Sequence, residues 1–221
     1  MADWNAVKRI DPDRIWGWFR QVMTAGEAID FSDMLKNILQ TTLNPVFDDY
    51  LTSGDALAKG ASAPDFVELR DGLFMNAFAG TGGVAEQAFF EVHILHGFRA
   101  GQQPTFHVHW THNQAAPSGD VKWFLDYSYS DGYSNGIFPA PTTLSVVQTA
   151  GAQYTHHITD DDSMVVTESM EPDGVLICRL YRDPADVEDT FEADAFIVEI
   201  DMHYERDKIG TAERARPYTG F

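Results

Sequence analysis

After Asp65 the apolar residues recur at every second position, and before it they recur with the period of a helix. In 194–204, Phe196, Val198, Ile200, Met202 and Tyr204 share one side, and Glu199, Asp201 and His203 share the other. In 104–111, Phe106, Val108 and Trp110 oppose His107 and His109; in 89–95, Phe90, Val92 and Ile94 oppose Glu91 and His93. Such alternation marks strands with one buried face. It predicts strands at 65–69, 72–78, 86–96, 104–111, 120–130, 142–149, 153–159, 163–169, 175–182 and 194–205. Turn signals separate them, among them Asp71-Gly72, Gly82-Gly83, Asp131-Gly132 and Pro172-Asp173-Gly174.

Upstream, Asp11-Pro12 suits a helix start, and Ile15, Trp18, Phe19, Val22 and Met23 form one apolar stripe. A second helix is expected from about Asp30 or Ser32 to just before Pro45, followed by a turn-rich linker over 53–64. The reading is a mainly β chain: an antiparallel β-sandwich, jelly-roll-like, at 65–210, with an N-terminal α-helical arm at 1–60 and a C-terminal tail at 211–221.

Composition narrows the function. A hydrophobic fraction of 44%, with 13% aromatic residues, is that of a globular protein. Thirty-four acidic against fifteen basic residues give a net charge of −19, which repels phosphate backbones and argues against nucleic acid as a partner. No apolar run approaches the ~20 residues of a membrane helix. The N-terminus lacks the basic-then-apolar order of a signal peptide, so folding in a cytoplasm is expected. A lone Cys178 within an apolar run predicts a buried thiol and excludes an intrachain disulfide.

The sharpest local feature is Phe106-His107-Val108-His109-Trp110-Thr111-His112. Histidines at i and i+2 of a strand point the same way, which suits metal chelation in a cupin-type, metal-dependent enzyme. The Glu that such a pattern carries a few residues later is replaced here by Asn113 and Gln114, and no second segment completes a ligand set. The expectation is therefore no metal, no cofactor and no catalysis. Parity places His93, His107, His109 and His203 away from the apolar faces, beside Glu91, Glu199 and Asp201. Neighbouring strands would merge these into one patch, expected at a contact between protomers, with Ile15, Trp18, Phe19 and Val22 of the arm as a second contact. The loop from Asp183 to Asp189 lacks the order of a calcium loop and is expected to be a solvated turn. Trp110, Trp123, Tyr127, Tyr129 and Tyr133 could instead form a sugar platform, although parity puts three of them with Leu125 on a core face.

A longer ordered pattern runs from Pro104 to Gly210. It comprises Phe106-His-Val-His-Trp110, Gly119-Asp-Val-Lys-Trp-Phe-Leu-Asp-Tyr127, Tyr154-Thr-His-His157, Leu176-Ile-Cys-Arg-Leu-Tyr-Arg-Asp183 and the closing stretch Asp189 to Tyr204. This order resembles the jelly-roll modules of tailed-bacteriophage virion proteins. The resemblance covers about half the chain. It implies a structural role in the virion after folding in the host cytoplasm, and homo-oligomeric, often trimeric, assembly. It further implies binding to the major capsid protein as a decoration or cement protein, or to neck or tail proteins as an adaptor or fibre anchor.

Overall fold

The computed structural model describes residues 46–54, 57–160 and 163–206. Among these residues the chain forms strands and no α-helix. They are β1 (Val46–Ser53), β2 (Ala58–Lys59), β3 (Asp65–Arg70), β4 (Leu73–Phe78), β5 (Glu86–His93) and β6 (Thr105–Thr111). They continue as β7 (Asp120–Asp131), β8 (Thr142–Thr149), β9 (His157–Ile158), β10 (Gly174–Arg182) and β11 (Ala195–Arg206). The helical arm lies, as far as residue 45, outside the described residues, as do its stripe Ile15, Trp18, Phe19 and Val22 and the tail after 206.

Every pairing is antiparallel, and the strands make two sheets. The first runs β3-β4-β11-β6-β9, and the second β2-β5-β10-β7-β8. β11 anchors the first sheet. β6 takes one of its edges, while β4 (at Ala195–Phe196) and β1 (at Glu199–Arg206) divide the other. Phe78, Phe106 and Trp110 from the first sheet meet Trp123, Leu125, Leu176 and Leu180 from the second in one core. Phe78 and Trp123 meet edge-on at 5.2 Å between ring centroids, and Phe90 and Phe106 at 6.1 Å. The two inner faces thus bury each other.

Alternation located most strands to within one or two residues, and three differences have physical causes. Val46–Ser53 and Ala58–Lys59 are strands where arm and linker were expected, because β11 and β5 each offer an edge for pairing. The predicted strand at 153–159 shrinks to two residues, since Tyr154 adopts a left-handed φ of 62° and turns the chain. The stretch 163–169 is no strand: its backbone pairs with the first sheet at an isolated bridge between Thr105 and Val165, while Met164 and Val166 still enter the core.

One face assignment also changes. A β-bulge in β11 sets Ile197 opposite Trp110 but Glu199 opposite His109, so Val198 is an extra residue. Parity flips across it. Ala195 and Ile197, then Ile200, Met202 and Tyr204, supply the core row, and Phe196 and Val198 leave it.

Candidate functional site: the histidine–aspartate face of the first sheet

The register of β6 against β11 pairs His107 with Asp201 and His109 with Glu199. Alternation therefore puts His107, His109, Asp201 and His203 on the face of the first sheet opposite the core, with Glu199 next to them. His109 Nε2 and His203 Nε2 each lie 3.3 Å from Asp201 Oδ2. On its other side, His109 Nδ1 is 3.0 Å from His156 Nε2. With His109 Nε2–H directed at the carboxylate, its Nδ1 accepts from His156. His107 is fully buried within the single chain. Its Nδ1–H donates to the Thr159 carbonyl at 2.8 Å, and its ring packs 4.2 Å from that of His203.

This network is graded from inside to outside: the Asp201 side chain is 6% exposed, that of His109 14%, and that of His203 35%. It joins three histidines and a carboxylate without bringing a hydroxyl or thiol nucleophile to any of them in the contacts described. Among the described residues no three His, Cys, Asp or Glu side chains are placed to hold a metal ion.

His93 does not join this face. It lies on β5 in the second sheet, where His93 Nε2 (3.3 Å) and His96 Nε2 (2.8 Å) converge on Asp173 Oδ1. Glu91 shares that strand. Two remaining histidines are core residues. His157 stacks on Trp110 at 4.4 Å, and His112 donates Nε2–H to the Gly151 carbonyl while its Nδ1 accepts from the Gln114 amide. Burial lowers the pKa of both, and for His157 the charges of His112 and His156 add to the effect.

The acidic loop is more than a solvated turn. Asp189 is buried and forms a bidentate pair with the fully buried Arg182, Nε to Oδ2 and Nη2 to Oδ1, both at 2.8 Å. The rest of the guanidinium donates to the carbonyls of Phe78, Ala193 and Phe191. Phe78 ends β4, and Phe191 and Ala193 precede β11, so this one side chain fastens the second sheet to the first. Alternation could have found it: Leu176, Cys178, Leu180 and Arg182 share one face, and a guanidinium in a core row needs a buried carboxylate. Asp186 and Glu188 hold Lys122 at 3.0 and 2.8 Å. The Glu188 amide, and after it Lys122, lowers the pKa of Asp186.

The sugar-platform arrangement does not form. Trp110, Trp123 and Tyr127 are core residues, and Tyr129 packs against the core. On the outer face of the second sheet Phe124 and Tyr181 stack at 4.8 Å with nearly parallel planes. Lys122 lies over the Phe124 ring at 4.8 Å and Arg179 over the Tyr181 ring at 4.7 Å, so each ring of the pair also carries a cation. Cys178 is buried, and burial pushes its thiol pKa up.

No protein-family model matches the chain, and no curated protein matches it. Solved structures give distant likenesses. The carbohydrate-binding module TmCBM61, solved in complex with β-1,4-galactotriose, is 11% identical with a TM-score of 0.31, over 71% of this chain and 88% of that one. Dimeric latent PorU from Porphyromonas gingivalis is 9% identical (TM-score 0.29), over 73% of this chain and 13% of that one. An aminopeptidase from a marine sediment Thaumarchaeota archaeon is 8% identical (TM-score 0.24), over 74% of this chain and 31% of that one. The chain thus spans well under a third of PorU and about a third of the aminopeptidase.

Proposed function

We propose that this protein is a non-enzymatic structural component of a tailed-bacteriophage particle, a decoration or cement protein on the outer capsid shell. In this reading the paired sheets are a jelly-roll-like sandwich assembled in the host cytoplasm as a homo-oligomer, a trimer by the resemblance. The N-terminal arm would grip the shell.

One observation carries the reading. Four of the five segments of the virion-type pattern fall on or lead into β6, β7, β10 and β11, none of them an end strand of its sheet. The fifth (Tyr154–His157) is the turn into β9, and the pattern's Arg182 and Asp189 form a buried pair between the sheets. The pattern is thus written in the residues that build the body. The polar face on β6 and β11 suits a contact better than chemistry, because its histidines and carboxylate engage one another and His203 and His156 carry it to the surface. Quantitative mass spectrometry of purified particles from a host carrying this gene tests the role. The protein should co-purify in fixed ratio to the major capsid protein. Its presence only in the soluble lysate would overturn the assignment.

A further inference from the structure

From Gly132 to Thr159 the chain carries no Asp, Glu, Lys or Arg, the longest such stretch in a sequence of net charge −19. The structure gives this stretch a definite place. It forms the loop after β7, the edge strand β8 and the turn into β9. β8 is the end strand of the second sheet, and among the described residues nothing pairs with its outer edge.

Natural edge strands are usually blunted by charge, by proline within the strand or by shortness. β8 has none of these over Thr142–Thr149. Its eight residues are Thr-Thr-Leu-Ser-Val-Val-Gln-Thr, with Val146 in the core and Val147 41% exposed. The adjoining loop adds Ile137 at 91% and Phe138 at 46%. By contrast β3, the end strand of the first sheet, carries Asp65, Glu68 and Arg70.

We infer that β8 is a self-association edge, at which a second copy of this chain adds its own β8 antiparallel across a two-fold axis. Charge selects the occupant. Two copies at −19 repel wherever their acidic surfaces approach, and the uncharged strip is where they can meet without facing carboxylates. A strongly basic partner would instead find its complement elsewhere on this surface. Antiparallel pairing of identical strands is self-complementary: the amides and carbonyls of one edge meet those of the other, and Ile137 and Phe138 come under cover at the margin. This contact is independent of the virion assignment. It makes dimers, or joins larger rings in pairs.

Sedimentation equilibrium of the full chain tests it, beside the variant Ser145→Glu with Val147→Glu. Both side chains are exposed, so the fold should survive, which circular dichroism and the urea midpoint check. The wild type should show an even number of protomers at micromolar concentration. Its association should strengthen as salt rises from about 0.05 to about 0.5 M, because screening removes the repulsion between copies. The folded variant should lose at least tenfold in association. If the double variant unfolds, Val147→Thr with Ser145→Lys offers a second charged edge with a smaller change. A monomeric or strictly trimeric wild type, or a folded variant with unchanged mass, overturns the inference.

Discussion

Arg182 shows how a single side chain can decide the fate of a corner of the molecule. Its guanidinium satisfies both Asp189 oxygens and three carbonyls in a region closed to water. Replacing it with Met leaves a buried carboxylate and bare carbonyls, which costs on the order of 3–5 kcal/mol. The urea midpoint of Arg182→Met should fall accordingly, and Arg182→Met with Asp189→Leu should recover part of the loss. The histidines make a second residue-scale prediction. His112 and His157 have lowered pKa values when folded, against about 6.5 unfolded, so the stability they confer is complete above that value. It declines as pH falls below it, where the unfolded chain takes up protons that the buried rings resist. The drop in urea midpoint from about pH 7 to about pH 5 should be smaller in His157→Phe, which keeps a ring against Trp110 but cannot charge. Much at this scale was legible. Parity placed Asp201 beside His107 and His109, and the same alternation, carried along 176–182, would have put Arg182 in a core row. It could not say that His107 would be buried, or that His93 would fall in another sheet, because alternation gives the face of a strand and not its neighbours.

At the scale of elements, hydrophobic period located most of the strands that turn one face to the core. It failed for β1 because Val-Phe-Asp-Asp-Tyr-Leu mixes apolar and acidic residues at both parities, and what marks it as a strand is its pairing with β11. It mis-set the first half of β11 because one extra residue, Val198, reverses the face of everything before it. The turns were better marked. Asp71 and Gly72 join β3 to β4 with φ of 46° and 86°, the positive values that a two-residue hairpin loop demands. Gly119, ahead of β7, is more constrained. It has φ of 106°, and a Cβ there would run into the Thr190 carbonyl. Thr190 in turn bonds Asp120 through both its amide and its hydroxyl, tying the start of β7 to the approach to β11. Gly119→Ala should therefore destabilise the protein by about 1–3 kcal/mol. Thermal melting would check it, with the exposed and open Gly82 as the comparison site in a less crowded turn.

Taken whole, the described residues form two antiparallel sheets, and in a chain of net charge −19 the end strand β8 carries no charged residue. Most of the sequence pattern that resembles virion proteins falls on β6, β7, β10 and β11, which is why the same residues could suggest both a fold and a role. Cryo-electron microscopy of purified particles tests that role most directly. The proposal predicts density matching the two sheets at symmetry-related sites on the outer shell, with the chain's N-terminal side toward the capsid. Particles without such density at head, neck or tail, from a host that makes the protein in quantity, would contradict it.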